Sequence, residues 1–214
     1  MAIITYPLDG IDYDAAAAET YFCTRSSGVY FQDDNFAASV TGNREITISP
    51  GLAWIRNDSF AGKSICSNTS VALNIEVADG ILPRMDRIVL RFDKTKNATE
   101  FVVLKGEYSS APVPPPITRD ALVYDLGLYT VLVPAASVTI AESHVANTMS
   151  DRTVCGYMQD GVTAGGMVID GAKEGALVVT DSQGNVVSSN RTVSSLGTGA
   201  TYSLNGTVLT ITTL

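Results

Sequence analysis

The chain has 214 residues and a formal net charge of −8, from 14 basic and 22 acidic side chains; 45 % of its residues are hydrophobic and 17 % charged. That apolar content is enough for a packed core and excludes global disorder, and the length fits one large domain or one domain with a small appendix. An acidic chain with no run of Lys or Arg is no nucleic-acid surface, because phosphate binding draws its affinity from such clusters, and it is poorly suited to anionic lipid headgroups.

The start, Met1 to Pro7, has neither the basic opening nor the apolar stretch of a secretory signal. No window reaches the roughly 18 apolar residues of a membrane-spanning helix. The expectation is a soluble protein made in a cytoplasm. Cys23, Cys66 and Cys155 are odd in number and none has CxxC spacing. They read as buried free thiols, with one disulfide plus one thiol as the alternative. The Asn-x-Ser/Thr triplets beginning at Asn57, Asn68, Asn97, Asn190 and Asn205 read as chance in a Ser/Thr-rich chain.

The clearest helix signal runs from Asp12 to Thr24. Asp12 and Asp14 can cap it, and Ala15 to Ala18 is the strongest helix-forming run. Ala15, Ala18 and Phe22 fall on one stripe, expected to be buried, and Ser26-Ser27-Gly28 stops the helix. From Val29 the period changes to two. Ile46 and Ile48 alternate with Thr47 after a turn at Gly42-Asn43; Leu52, Trp54 and Ile55 follow Pro50-Gly51; Val71, Leu73, Ile75 and Val77 alternate with polar or small residues.

The central stretch is Pro83 to Asp93. Ile88, Leu90 and Phe92 make one fully apolar face, expected in the core, while Arg84, Asp86, Arg87 and Arg91 interrupt the run. An interior strand must send such charges to a rim or pair them. The four are therefore read as an ion-pair cluster, either inside the fold or against a neighbouring subunit, with a docking edge as the functional alternative. Phe101 to Leu104 completes a hairpin across 87–105. Pro112, Pro114, Pro115 and Pro116 make a stiff extended crossing. Thr118 to Tyr124 reads as a short helix, Leu126 to Val133 as a strand closed by Pro134, Thr139 to Val145 as one or two helical turns, and Arg152 to Met158 as another apolar piece.

Composition changes near Gly161: the rest is glycine-rich, with one Arg, one Lys and no Pro. Strand signals come at Met167–Ile169, Leu177–Thr180, Val186–Val187, Tyr202–Leu204 and Val208–Thr212, with Gln183-Gly184-Asn185 as a turn and Asn205-Gly206 as a hairpin signal. So small a β region buries little core alone and is expected to associate with copies of itself.

Catalytic constellations are hard to build from these residues. His144 is the single histidine, no Gly-x-Ser-x-Gly occurs, and two His ligands for a metal are impossible. Gly62-Lys63-Ser64 lacks the first glycine of a phosphate loop, since position 57 is Asn57. Asp33-Asp34 beside Asn35-Phe36 is the best carboxylate pair for a hydrolase. No catalytic, cofactor or metal site is assigned. A carbohydrate surface needs exposed aromatics; these are 7 % of the chain, and Trp54 sits in a core pattern.

Several segments, in order, carry a resemblance. Ile46-Thr47-Ile48-Ser49-Pro50-Gly51 is followed by Leu52-Ala53-Trp54-Ile55-Arg56, then Pro83-Arg84-Met85-Asp86-Arg87-Ile88-Val89-Leu90-Arg91 and Tyr124-Asp125-Leu126-Gly127-Leu128-Tyr129. Val131-Leu132-Val133-Pro134-Ala135, Ile140 to Thr148, Asp151-Arg152 and Val154-Cys155-Gly156 come after. Over about 1–160 this order resembles the N-terminal module of bacteriophage and prophage tail-fibre, baseplate and receptor-binding proteins. Asn147-Thr148-Met149 stands where Asp-Thr-Arg is usual in such modules.

The resemblance implies a non-enzymatic virion part that works as a homotrimer. Its partners would be other virion proteins and a host surface receptor or glycan, without nucleic acid or membrane insertion. It implies synthesis in the bacterial host cytoplasm and residence in the virion. A head fibre or capsid decoration protein, and a free-standing carbohydrate- or protein-binding module, are the alternatives. The fold expected is α+β and mainly β. Residues 1–160 would form an antiparallel sheet or sandwich with helix 12–24, and 161–214 a small all-β oligomerisation or tip domain.

Overall fold

A computed structural model of the chain describes residues 9–10, 12–57 and 61–158 and, beyond them, the backbone of four strands. Contacts divide the chain into two units, Met1–Val162 and Thr163–Leu214. The fold is α+β and mainly β, with antiparallel sheets and one α-helix among the described residues.

The helix α1 spans Ala15–Phe22, shorter than the 12–24 expected. Asp14 is its N-cap and accepts from the Ala17 N–H at 3.1 Å, the bond that satisfies one of the orphan donors of a first turn. Ala17 is its buried residue; of the expected stripe Ala15 is exposed and Ala18 and Phe22 are half-buried. The helix docks through its last turns. Gly62 sits so close to the helix end that a Cβ there would lie 2.4 Å from the Phe22 carbonyl carbon, and Lys63 pairs with Glu19. The backbone of the last turn and the Glu19 side chain make this contact with β5.

Three sheets build the first unit. One joins β1 (Gly28–Val29), β4 (Gly51–Arg56) and β5 (Gly62–Ser67) in the order β1-β4-β5. A second joins β2 (Ala38–Gly42), β3 (Glu45–Ile48) and β6 (Val71–Asn74) in the order β2-β3-β6. The third has the order β10-β9-β7-β8, from β7 (Arg84–Asp93), β8 (Ala98–Leu104), β9 (Val123–Val133) and β10 (Val145–Asn147). All three turn apolar faces into one core. It contains Val29, Ile46, Ile48, Ile55, Ile75, Ile88, Leu90, Phe92, Leu126, Leu128, Val131 and Val133. Tyr129 ties sheets together: its hydroxyl donates to the Phe36 carbonyl at 3.0 Å and accepts from the Ala38 N–H at 3.1 Å.

The alternation at Ile46 and Ile48 holds, both being fully buried. The 87–105 hairpin is β7 with β8, Arg87 facing Leu104 and Asp93 facing Ala98. Its turn is closed by the Asp93 carboxylate on the Thr95 N–H and hydroxyl. Thr118–Tyr124 is not a helix. Arg119 bridges to Tyr124, and β9 already begins at Val123, because the Asp120 carboxylate caps a turn through the N–H groups of Leu122 and Val123. The turn at 139–145 shrinks to a 3-10 helix over Glu142–His144. The Arg152–Met158 piece is turn and extended backbone, bridged to Val29 through Tyr157.

The second unit holds two hairpins: β11 (Ala176–Thr180) with β12 (Val186–Thr192), and β13 (Ala200–Asn205) with β14 (Val208–Thr213). Asn205 pairs with Val208, so the strands meet at the Asn205-Gly206 signal. The Met167–Ile169 strand and the Gln183-Gly184-Asn185 turn lie outside the described residues.

Candidate functional site

The residues singled out on the central strand were Arg84, Asp86, Arg87 and Arg91. β7 lies between β9 and β8, so both of its edges are paired, and most of its side chains are buried. Even-numbered side chains share one face and odd-numbered ones the other. This places Arg84 and Asp86 on the same face as Ile88, Leu90 and Phe92, and puts Arg87 and Arg91 behind the sheet.

Arg84 and Asp86 are not at the rim: both are buried, at 0 % and 1 % relative exposure. The Arg84 Nε donates to Asp86 Oδ1 at 2.9 Å, and Nη2 donates to Oδ2 at 3.1 Å. The rest of the guanidinium is used as well. Nη1 donates to the Val77 carbonyl at 2.6 Å and Nη2 to the Glu76 carbonyl at 2.7 Å. Asp86 Oδ1 also accepts from the Gly106 N–H at 2.9 Å. The reason for burial is in those partners. The chain leaving β6 and the chain leaving β8 turn inward backbone groups that need a donor and an acceptor. Burial opposes the charge on Arg84, but the hydrogen bond and charge of Asp86 outweigh it and hold its pKa above the ordinary value.

Arg91 belongs to a second, separate pair. It faces Asp125 directly across the β7–β9 ladder, and Nε and Nη2 each reach one carboxylate oxygen at 2.8 Å, a bidentate fork. Asp125 is fully buried and accepts a third bond from the Thr118 N–H at 2.9 Å. The fork between Arg91 and Asp125 is the main cause of the raised pKa of Arg91. Asp125 was not singled out from the sequence. Its signal was a lone carboxylate in the apolar run of β9.

Arg87 joins neither pair. Its Nε donates to the Pro115 carbonyl at 2.7 Å, so the Pro-rich crossing lies over this face of the sheet. Nη1 has no hydrogen-bond partner among the described residues. Burial lowers the Arg87 pKa, and the charge of Asp151 offsets this only in part. The four residues thus form no single cluster. Arg84 and Asp86 pair with each other, Arg91 pairs with Asp125 on β9, and Arg87 reaches the Pro115 carbonyl without an acidic partner at hydrogen-bond distance.

The other candidates are scattered. Asp33 and Asp34 are exposed, and Asn35 beside them is buried with its amide spent on both backbone groups of Leu52. His144 closes the 3-10 turn by accepting from the Ala141 N–H at 3.2 Å. The three cysteines are free, but only Cys155 is buried; Cys66 is exposed and Cys23 intermediate. Met149 is buried in the core. Among the described residues no three His, Cys, Asp or Glu side chains group to hold a metal ion, and no helix is long and apolar enough to cross a membrane.

Two surface features were missed. At one end of β7 the loops 77–83, 105–109 and 134–138 are stitched together: Arg84 holds the Val77 carbonyl, the Ser109 N–H donates to the Pro83 carbonyl, and the Ala136 N–H to the Asp79 carbonyl. Asp79 fixes the tip by accepting from Ile81 and Leu82 N–H groups. These loops expose Val77, Ile81, Leu82, Tyr108 and Val138, with Ile81 at 84 %. The second feature is a cleft of about 120 Å³ lined by Tyr30, Phe31, Gln32, Asp33, Asn147 and Tyr157, among others. Aromatics at loop starts carry no period, which is why pattern reading passed over them. No protein-family model, curated protein or solved structure matches this chain.

Proposed function

We propose that the chain is a non-enzymatic structural protein of a bacteriophage or prophage particle, part of a tail-fibre, baseplate or receptor-binding assembly, and that it works as a homotrimer. The observation that carries this reading is the apolar end of the first unit. Side chains such as Ile81 and Leu82 are held outward by a carboxylate-capped loop, and that loop is anchored to the central strand through Arg84. Apolar groups clustered on a fixed surface are unfavourable in water, and docking lowers their free energy. The order of sequence motifs over about 1–160 supports the virion setting. The two short hairpins of the second unit support self-association, since so few strands need neighbours to be stable.

Light scattering on the full chain tests it. The expected mass is about three times the 22.6 kDa of one chain. A monomer at micromolar concentration overturns the trimer, and with it the assembly reading.

A further inference from the structure

We propose that the cleft beside Tyr30 and Phe31 binds a neutral saccharide, one sugar ring at a time. The segment that forms it is pinned on both sides. Tyr30 donates its N–H to the Leu52 carbonyl at 3.0 Å, Met158 donates to the Val29 carbonyl at 2.9 Å, and the Asn35 amide holds Leu52 in both directions. The cleft is therefore preformed, and little ordering is required on binding.

Its lining matches the two sides of a pyranose. Phe31 is 72 % exposed and stands edge-to-face with Tyr157, ring centroids 4.8 Å apart; Tyr30 is 42 % exposed. Such rings offer apolar faces to the C–H side of a sugar. The side chains of Gln32 and Asp33 make no hydrogen bond with the described residues. Asn147 uses its Oδ1 on the Met149 N–H at 2.8 Å, which leaves its two amide N–H donors for a ligand. A carboxylate that accepts from two hydroxyls and an amide that donates to a third are complementary to vicinal diols. Among the described lining residues none is cationic and one is an aspartate, which selects against anionic sugars. About 120 Å³ is well below the roughly 300–1,000 Å³ that encloses a drug-sized ligand. The site takes a terminal residue weakly, and in the proposed trimer its repetition would add avidity.

The inference extends the attachment reading without depending on it, because chain mass tests one and sugar binding the other. Saturation-transfer NMR on the full chain with glucose, galactose and N-acetylglucosamine as probes provides the test. At least one probe should show transfer to its ring protons. Phe31→Ala and Asp33→Asn should each weaken it about tenfold or more, while Phe31→Trp keeps it. Asp33→Asn changes an exposed side chain that makes no hydrogen bond with the described residues, so its loss of binding is not ascribed to unfolding. No transfer from any probe to the unaltered chain overturns the proposal. So does transfer undiminished in both Phe31→Ala and Asp33→Asn, or a Phe31→Ala chain whose mass in solution falls, since the cleft is then a contact between copies.

Discussion

Arg84 and Asp86 stand two residues apart on one face of β7, both sealed from solvent and joined by a forked contact of 2.9 and 3.1 Å. Each also serves a backbone group outside the pair: Arg84 the carbonyls of Glu76 and Val77, Asp86 the N–H of Gly106. Removing Asp86 by Asp86→Ala leaves a buried uncompensated guanidinium, and a loss of about 3–5 kcal/mol is expected in urea unfolding. The double change Arg84→Met with Asp86→Leu should not restore stability, although apolar replacement of a buried ion pair often does. Here it would orphan two carbonyls and one amide. A double variant as stable as the parent would show that those loops do not need the pair.

Arg91 and Asp125 differ in one respect that decides their ranking. The Arg91 side chain keeps 23 % exposure, whereas Asp125 has none. Arg91→Ala therefore leaves a buried carboxylate with only the Thr118 N–H to stabilise it, and costs about 3–5 kcal/mol. Arg91→Lys keeps the charge but loses the planar fork, so it should recover only part. Asp125→Asn should cost less than Asp86→Asn, because Arg91 can turn to water and Arg84 cannot. Equal losses at the two sites would contradict the exposure argument.

Acid should loosen the loops before the sheets. Backbone N–H groups of Leu82 and Ile81 lower the pKa of Asp79, those of Val123 and Leu122 lower that of Asp120, and the Thr153 hydroxyl and N–H lower that of Asp151. The Thr95 hydroxyl does the same for Asp93. A carboxylate depressed in the folded state adds stability in full above its unfolded value, near ~3.9, and loses it as pH falls through the folded value. The thermal midpoint should therefore drop as pH is lowered from about 5 towards 2. Asp120→Asn, which cannot titrate, should flatten that slope. A midpoint independent of pH in this window would remove the role of these caps.

The strands were legible where burial imposed a period. Ile46 and Ile48, and Ile88, Leu90 and Phe92, alternate because one side of each strand meets the core. The charges on β7 were legible as residues that must pair. Their partners were not, since Asp125 lies across a ladder and Gly106 across a turn, and local spacing says nothing of either. Rim placement of Arg84 failed for a specific reason. Chain leaving β6 buries carbonyls that only a long donor can reach. The helix expected at 118–124 failed because Asp120 offers its carboxylate to the two N–H groups that a helix would have used otherwise. The cleft aromatics were invisible because Tyr30 and Phe31 follow a strand of two residues.

The thiols should separate by reactivity. Burial pushes the Cys155 thiol up to about 12, which leaves about one thiolate in ten thousand at pH 8. Cys66 is exposed. With a thiol-specific reagent on the native chain, Cys66 should label in the fast phase and Cys155 only at the rate of unfolding, as peptide mapping by mass spectrometry would show. Fast labelling of Cys155 would mean that the core around Val29 and Met149 opens easily.

Gly106 tests how tightly the chain leaving β8 is laid against the central strand. A Cβ at this position would lie 2.1 Å from the Met85 carbonyl oxygen and 2.8 Å from its carbon, and both are backbone atoms with no rotamer to yield. The same residue gives its N–H to Asp86. Gly106→Ala must push the two chains apart, which both strains the backbone and lengthens that hydrogen bond. A loss of about 1–3 kcal/mol or more is expected. Gly80 provides the control. It lies on the apolar loop with nothing within 4 Å of its Cβ position, so Gly80→Ala should stay within about 0.5 kcal/mol of the parent. Urea midpoints of the two variants decide the matter. If they coincide, the Gly106 backbone does not press on Met85, and Asp86 holds a looser strand than its hydrogen bonds indicate.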